Sequence, residues 1–188
     1  MRIVSPHKAV AALKAGNVAL VPTETVVGLV AAESGLPRIR EIKGREADKP
    51  IALLCATAEE AFGLAANVPP LARELAEHYW PGPLTLVLDL PSEGTIGVRV
   101  PAGRAVLDLL EAYGSPLYAT SANLSGEPAR AALDEVDPRV LEAVDIVVRG
   151  GKGTGEASAV VDLSGSNLRL VRAARELSTE KLARLASE

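Results

Sequence analysis

The chain is poor in the residues that build disulfides and metal sites. It has one cysteine, Cys55, and two histidines among its 188 residues. An internal disulfide and a multi-cysteine metal site are therefore excluded, and a histidine-rich site is disfavoured, so we expect no protein-held metal. Aromatic residues are only 3% of the chain, which leaves leucine, valine, isoleucine and alanine to build the core. Cys55 lies in the apolar run IALLC and is predicted to be a small buried hydrophobic residue.

The chain also lacks a strong net charge and long apolar runs. Its formal net charge is −4, which argues against a strongly basic nucleic-acid-binding protein and makes any polyanion site a local one. No run approaches the ~18 apolar residues of a membrane span, and the N-terminus has no continuous apolar stretch typical of a signal peptide. We therefore expect a cytoplasmic protein that does not associate with a membrane.

What the chain does have is enough apolar residues for one folded domain. They make up 48% of its residues, a fraction typical of a globular protein, and neither a linker nor an internal repeat divides the sequence. Helical and strand patterns are intermixed, and strands follow one another in 84–100 and in 145–172. A strictly alternating βαβ pattern does not fit. We predict a single α/β domain, residues 1–188, with a mixed sheet flanked by helices.

Three cationic residues are clustered in front of an apolar strand. Lys43, Arg45 and Lys49 lie within seven positions, directly before the predicted strand 51–55. One explanation is a solvated surface segment, because neighbouring carboxylates can compensate the charge. The other is an anion site: arginine grips phosphate oxygens bidentately and lysine supplies a point charge, so a triphosphate would explain the cluster.

Polar side chains also follow or flank other apolar strands. In VPTETVVGLV, 21–30, Thr25 follows a strand that ends at the proline, and a strand-to-helix cap is the simplest interpretation. In TIGVRVP, 95–101, alternation places Thr95 and Arg99 on one face. For Arg99 a surface position and a contact to a substrate carboxylate are equally open.

The segment LYATSANLSGEPA, 117–129, ends a strand in a dense run of short polar side chains. Ser121 and Asn123 can bind ligand oxygens, and they can also cap their own backbone in an ordinary loop. The glycine-rich segment 149–158 fails the Walker pattern and G-x-G-x-x-G, so we interpret it as a mobile flap that leads to Ser158. No Ser-His-Asp order and no G-x-S-x-G motif are present, which disfavours a covalent hydrolase.

Six motifs occur in one order along the chain and carry a resemblance. They are PTETVVGL, KGREADKPIALL, WPGPLTLVL, IGVRVPAG, SANLSGEPA and SAVVDLSG. In this order, over about residues 6–172, the sequence resembles the YrdC-like family, in a short form without the C-terminal extra domain of longer members. The resemblance implies a twisted, largely parallel mixed sheet flanked by helices, with a concave, positively charged cavity.

The characterised members of that family are threonylcarbamoyl-AMP synthases, and the resemblance implies the same nucleotidyltransferase activity here. Such enzymes combine L-threonine, bicarbonate and ATP into threonylcarbamoyl-adenylate and release pyrophosphate, on the way to N6-threonylcarbamoyladenosine in tRNA. Mg²⁺ carried by ATP is the implied cofactor. Besides these substrates, tRNA or the downstream tRNA-modifying proteins are candidate partners.

The resemblance also assigns roles to particular residues. The implied threonine-binding residues are Thr25, Leu54, Arg99, Ala119 and Ser158. The implied ATP-binding residues are Arg45, Lys49, Thr95, Ser121, Asn123, Ala129 and Arg172. The implied catalytic residues are Lys43, Arg45, Ser121 and Asn123. In this assignment Lys43 adds positive potential near the phosphates.

Three departures from the family pattern keep other functions open. Val27 stands where the family usually has tyrosine, and Ala159 where it usually has threonine. Arg172 is followed by two alanines in place of proline and glycine. One alternative is therefore a divergent paralogue that acts on another amine or carbamoyl donor. The other is an RNA-binding module without turnover, which the net charge and the few aromatic residues count against.

Overall fold

A computed structural model of the chain describes residues 2–44, 51–165 and 168–187. Within these residues the chain forms one ten-stranded sheet with helices packed against it. The strands are β1 (Arg2–Val4), β2 (Ala19–Pro22), β3 (Val27–Ala31), β4 (Ala52–Leu54), β5 (Leu84–Asp89), β6 (Thr95–Arg99), β7 (Leu117–Ser121), β8 (Ile146–Val148), β9 (Ala159–Asp162) and β10 (Arg169–Arg172). The α-helices are α1 (Pro6–Lys14), α2 (Leu36–Lys43), α3 (Ala58–Phe62), α4 (Pro70–Tyr79), α5 (Arg104–Tyr113), α6 (Pro138–Ala143) and α7 (Thr179–Leu185). Short 3₁₀ helices occupy Glu33–Gly35 and Leu133–Glu135.

The sheet is mixed, as the succession of strands in the sequence predicts. Its strand order is β1-β8-β2-β3-β7-β4-β6-β5-β9-β10. Among the described residues, four of the nine strand pairings are parallel and five are antiparallel. The expectation of a largely parallel sheet is therefore wrong. The reason is that short turns join β2 to β3 and β5 to β6, and such turns connect antiparallel neighbours.

Strand β3 is a second difference from the sequence interpretation. The chain after Thr25 does not enter a helix but turns back and pairs antiparallel with β2, where Val21 lies opposite Gly28. On its other side β3 pairs with β7, where Gly28 lies opposite Ser121. All five residues of β3 are buried. A short apolar run that is buried throughout shows no alternation, so its sequence does not identify it as a strand.

Apolar side chains on both faces of the sheet hold the helices against it. Ala19 and Val21 pack in a cluster with α1 and α5, whereas Val18 and Leu20 pack in a cluster with α2 and α6. A third cluster joins α3, α4 and α7 to β5, β6 and β9, and it contains Cys55, which is fully buried as predicted. Burial raises the pKa of the Cys55 thiol to about 12. Each fully buried leucine or valine of these clusters stabilises the fold by about 1.5–3 kcal/mol.

The ends of two helices follow from single residues. The hydroxyl of Thr57 accepts the backbone N–H of Glu60 at 3.1 Å and so begins α3. Helix α2 ends at Gly44, whose φ of 58° lies in the left-handed region that glycine adopts without a steric penalty. The second of these ends fixes the position of Lys43, the last residue of α2.

The helices are short compared with a membrane span. The longest in the described chain, α4 and α5, have 10 residues each, whereas a helix needs roughly 20 apolar residues to cross a bilayer. In the part of the chain that the structure describes, no helix meets that requirement. The cytoplasmic location stays a prediction.

Candidate functional site

A cavity of about 450 Å³ opens on the sheet. Residues of β3, β4, β5, β6, β7, β9 and β10 line it, together with the turn between β2 and β3. Eight residues singled out from the sequence lie in its wall: Thr25, Leu54, Thr95, Arg99, Ala119, Ser121, Ser158 and Arg172. The other polar or charged lining residues are Thr23, Thr85, Thr120, Asp162 and Arg169. Three arginines and one aspartate among these described residues give the wall a positive charge.

The turn between β2 and β3 is built around the hydroxyl of Thr23. That hydroxyl donates to the carbonyl oxygen of Val26 at 2.7 Å. It also accepts the backbone N–H groups of Thr25 and Val26 at 3.2 and 3.3 Å. A threonine that bonds to its own turn fixes the backbone locally. The Thr25 hydroxyl is thereby held at the cavity wall, 2.9 Å from the Thr23 hydroxyl.

Arg99, the last residue of β6, is held in the wall by three partners. It lines the cavity together with Thr95, and alternation predicts the shared face of these two residues. Its Nε donates to the Gly82 carbonyl oxygen at 3.0 Å. Its Nη2 donates to Thr25 Oγ1 at 3.0 Å and to a carboxylate oxygen of Glu24. Within residues 2–44, 51–165 and 168–187 no partner is bonded to its Nη1, so that end of the guanidinium can meet a ligand.

Glu24 is the counterion of Arg99. Its second carboxylate oxygen accepts the backbone N–H of Gly103 at 3.0 Å. Burial favours the neutral acid, but the charge and the hydrogen bond of Arg99 outweigh that effect and lower the pKa of Glu24 below its ordinary value. A carboxylate with a lowered pKa is a weak base. The arrangement therefore suits Glu24 to hold Arg99 in place, and it does not suit Glu24 to accept a proton.

Arg172, the last residue of β10, reaches the cavity beside Ser158. Its Nε donates to the Ser158 carbonyl oxygen at 2.7 Å, and its Nη2 donates to the Ser158 hydroxyl at 3.2 Å. That hydroxyl is 2.9 Å from the hydroxyl of Thr85, and both residues are buried. Burial, followed by the charge of Arg99, lowers the pKa of Arg172. A ligand anion near these two guanidinium groups would be attracted by both.

The end of β7 is supported by Lys43 of α2. Lys43 is 1% exposed and is not among the lining residues. Its Nζ donates to the backbone carbonyl oxygens of Ser121 and Asn123 at 2.6 and 2.9 Å. Asn123 also lies outside the lining, and its side-chain oxygen accepts the Ser121 hydroxyl. The structure thus brings all three predicted residues together, and of the three it places Ser121 in the cavity wall.

The glycine-rich segment 149–157 packs against the turn that carries Thr25. Three backbone N–H groups of this segment donate to the carbonyl oxygens of Ala131, Glu24 and Thr25, at 2.9, 2.9 and 2.8 Å. A Cβ at Gly153 would lie 2.3 Å from the Thr25 carbonyl oxygen, so this close approach requires glycine. The structure therefore shows a segment bonded to the turn where the sequence suggested a mobile flap.

Two of the three departures from the family pattern lie away from the cavity. Val27 and Ala159 are buried in the apolar clusters of the core, and neither is a lining residue. Their neighbours Val26, Ser158 and Val160 do line the cavity, because successive side chains of a strand point to opposite faces. These two differences therefore change the packing of the core and leave the cavity wall as it is.

Two of the predicted ATP-binding residues lie outside the described residues, and a third lies outside the cavity lining. Arg45 and Lys49 lie outside the described residues, and Ala129 is half-buried outside the lining. Their contacts with ATP stay predictions. The described chain on both sides of Arg45 and Lys49 meets β7 or the loop after it. Before them, the Lys43 carbonyl oxygen accepts the Ser125 N–H at 3.1 Å, and after them β4 pairs with β7.

Two further polar lining residues, Thr85 and Asp162, stand in otherwise apolar strand sequences. Thr85 interrupts the apolar run of β5, and Asp162 ends the apolar run of β9. A polar side chain in an otherwise apolar strand needs a partner or a wet surface, so it indicates a cavity or an edge. Glu24 has no such local signal, because its partner Arg99 is 75 positions away.

The sheet and its cavity can be compared with known proteins. The Sua5/YciO/YrdC family model, whose description reads "Telomere recombination", matches residues 11–174. The chain belongs to the Sua5/YciO/YrdC family. The resemblance carried by the six motifs is thereby confirmed over most of the chain.

Two relatives within the Sua5/YciO/YrdC family show how far the similarity extends. A threonylcarbamoyl-AMP synthase of Pyrococcus abyssi is 36% identical over 165 residues, which are 81% of this chain and 48% of the relative. This chain thus spans about half the length of that protein. A relative from Mycobacterium tuberculosis is 33% identical over 188 aligned residues, which are 93% of this chain and 86% of the relative.

A solved structure from the Sua5/YciO/YrdC family shares the fold. Pyrococcus abyssi Sua5, in a crystal structure with L-threonine, superposes with a TM-score of 0.87 at 31% identity. The superposition covers 98% of this chain and 61% of that one. The α/β architecture with a mixed sheet is therefore that of the family.

Proposed function

We propose that this chain is a threonylcarbamoyl-AMP synthase, a nucleotidyltransferase that converts L-threonine, bicarbonate and ATP into threonylcarbamoyl-adenylate and pyrophosphate. Its relatives support the proposal, among them a Pyrococcus abyssi protein of that name and a Sua5 structure with L-threonine. The observation that carries it is the shared cavity, whose wall contains residues expected at threonine and residues expected at ATP. The product would serve the formation of N6-threonylcarbamoyladenosine in tRNA.

The first step joins threonine to bicarbonate. The threonine nitrogen attacks the bicarbonate carbon, water leaves, and threonine carbamate forms. Holding two reactants in the right geometry contributes about 7–11 kcal/mol to lowering such a barrier. The free Nη1 of Arg99 suits the threonine carboxylate, with the Thr25 and Ser158 hydroxyls in the same wall. Leu54 and Ala119 supply apolar contacts beside them.

The second step transfers the adenylyl group. A carbamate oxygen attacks the α-phosphorus of ATP, and pyrophosphate leaves with the electrons of the broken bond. Fixed cations stabilise the charge on the phosphate oxygens. Arg172 suits this role, because its described hydrogen bonds go to Ser158 and leave its Nη1 for a ligand. Ser121 and Thr95 add hydroxyls to the same wall, and the step needs no protein nucleophile.

Mg²⁺ would enter the cavity with ATP. It keeps several waters and binds phosphate oxygens well, so it does not require a protein cage. In the described chain no three His, Cys, Asp or Glu side chains are grouped as metal ligands. The lining carboxylate, Asp162, uses one oxygen to accept the backbone N–H and the hydroxyl of Ser164, at 3.0 and 2.6 Å. This donor set fits a metal that the nucleotide carries.

Product formation by the purified protein tests the proposal. ATP, Mg²⁺, L-threonine and bicarbonate should yield threonylcarbamoyl-adenylate by mass spectrometry, and ¹³C-bicarbonate should place its label in the product. Pyrophosphate release should require threonine and bicarbonate together. A failure to form the adenylate, or pyrophosphate release that does not depend on threonine, would contradict the proposal. Arg139→Met, which removes an exposed arginine outside the cavity lining, should leave the rate unchanged.

The same assay separates the alternatives. A panel of amino acids tests for a paralogue that uses another amine, although Val27 and Ala159, which motivate that alternative, lie in the core. An RNA-binding module would show no turnover and a binding constant that falls steeply with salt.

A further inference from the structure

We infer that Lys43 and Asn123 are positioning residues, which hold Ser121 in the cavity wall and do not touch the nucleotide themselves. The inference rests on the proposed function, because Ser121 has a ligand to meet only if the cavity takes ATP. It assigns to two predicted catalytic residues a task that their side-chain types alone do not indicate.

The first argument concerns the burial and the partners of Lys43. An ammonium group carries three N–H donors, and burying it is costly unless these donors find acceptors. The Nζ of Lys43 reaches the carbonyl oxygen of Ser121 at 2.6 Å, that of Asn123 at 2.9 Å and the side-chain oxygen of Asn123 at 3.2 Å. Among the described residues, the Lys43 ammonium thus has three acceptors at the end of β7.

The second argument concerns the amide of Asn123. Its Nδ2 donates to the carbonyl oxygens of Leu124 and Glu127, at 3.0 and 2.6 Å. Its Oδ1 accepts the Ser121 hydroxyl at 2.5 Å and the Lys43 ammonium at 3.2 Å. An asparagine side chain has two donors and two acceptor sites. All four are satisfied within the protein, so the amide has no hydrogen bond left to offer a ligand.

The third argument is that both networks converge on one residue. Ser121 lines the cavity, whereas Lys43 and Asn123 do not. Its carbonyl oxygen is bonded to Lys43 and its hydroxyl to Asn123, so both its backbone and its side-chain torsion are held. A displacement of about 1 Å at a reacting group can cost 10²-fold in rate. The two residues can therefore affect catalysis strongly without any contact to ATP.

A double-mutant cycle in kcat/KM for ATP tests the inference. Lys43→Met should lower kcat/KM for ATP by up to about 100-fold in the wild-type background, and by no more than Ser121→Ala does. It should change KM for threonine by less than about threefold. In the Ser121→Ala background the same substitution should cost less than about threefold, because the hydroxyl that Lys43 helps to position is already gone. If the two losses multiply in the double variant, Lys43 acts on the nucleotide independently and the inference fails.

Two further variants protect the test against misfolding and against effects of charge alone. Asn123→Ala removes the side-chain part of the network and should show the same non-additivity with Ser121→Ala. Lys14→Met removes an exposed cation that lies over Tyr113, away from the cavity, and should leave kcat/KM unchanged. If the losses in kcat/KM of Asn123→Ala and Ser121→Ala multiply in the double variant, the inference also fails.

Hydrogen exchange gives a readout that does not depend on activity. The N–H of Ala122 donates to Val27 and that of Ser125 donates to Lys43, at 2.8 and 3.1 Å. Lys43→Met should lower protection at these two amides and leave that of the buried amides of α5 unchanged. Unchanged protection at both would overturn the inference even in an active enzyme. If the wild-type protein forms no adenylate, the proposed function fails, and the exchange result still decides the positioning role.

Discussion

Arg99 and Lys43 are two buried cations with opposite surroundings. Arg99 lies in the cavity wall and is balanced by the carboxylate of Glu24. Lys43 lies outside the wall, and the described acceptors of its ammonium are oxygens of Ser121 and Asn123. The first arrangement leaves one end of the guanidinium for a ligand, whereas the second shapes the wall. The difference teaches that the partners of a buried cation, more than its charge, decide whether it serves the ligand or the fold.

The largest effect is expected when Arg99 is replaced. Arg99→Met should lower kcat/KM for threonine by about 10²-fold to 10³-fold, because it removes a fixed donor from the wall. It should also lower the free energy of unfolding by about 2–3 kcal/mol, because Glu24 loses its buried partner. This is below the full cost of breaking a buried pair, because the Glu24 side chain is 22% exposed. Initial rates at varied threonine and urea unfolding measure the two effects.

A second substitution identifies the cause of that destabilisation. Adding Glu24→Gln to Arg99→Met should recover part of the lost stability, because no unpaired carboxylate is left, and it should recover none of the activity. If the double variant is less stable than Arg99→Met, the ion pair does not explain the loss.

Ser121→Ala should have the next largest effect, and this effect should concern ATP and not threonine. We expect kcat/KM for ATP to drop about 10-fold to 100-fold, as for the loss of one hydrogen bond to a charged group. KM for threonine should change by less than about twofold. Steady-state kinetics with each substrate varied in turn measures both values, and an equal loss for both substrates would mean that the two ends of the cavity are not distinct.

The contrast between Arg99 and Lys43 also marks what the sequence can predict. Alternation along β6 predicts that Arg99 shares a face with Thr95, because direction within a strand is a local property. The direction of Lys43 is set by the end of α2 and by acceptors about 80 positions away. No local pattern encodes such a contact. The family resemblance predicts that Lys43 and Ser121 belong to one site, but it does not predict the hydrogen bond between them.

The same distinction between local patterns and contacts of distant residues explains the errors in the predicted fold. The hairpin of β2 and β3 was not predicted, because β3 is short and wholly buried and its turn depends on bonds made by Thr23 within the folded chain. The parallel or antiparallel sense of a pairing likewise depends on which strands become neighbours. The α/β class and the mixed sheet were predictable because the order of helical and strand patterns indicates them directly, whereas the eight wall residues were named through the family resemblance.

The pH dependence of stability sharpens the role of Glu24. Its pKa is lowered in the folded protein, so its ion pair contributes stability that is complete above the ordinary carboxyl value of 4.5 and is lost as the pH falls through the lower folded value. Glu24→Gln should therefore cost about 1–2 kcal/mol near neutral pH, and less as the pH falls below 4.5. Urea unfolding at several pH values measures the difference, which would stay constant if Glu24 were not ionised in the pair.

The smallest effect on activity is expected at Ala159, which is buried in the core behind the cavity wall. Ala159→Thr should leave the activity per folded molecule within about twofold, because the side chain at this position packs in the core and not in the cavity. It should lower the free energy of unfolding by about 1–3 kcal/mol through overpacking. A changed KM for threonine with unchanged stability would show that position 159 acts on the cavity after all.

A crystal structure with L-threonine and a non-hydrolysable ATP analogue tests the central claim most directly. We predict both ligands in the one cavity, with the threonine carboxylate on Arg99, the α-phosphate facing Arg172 and Ser121, and Lys43 still bonded to the end of β7. Ligands bound at separate places, or a phosphate bonded to Lys43, would contradict the account.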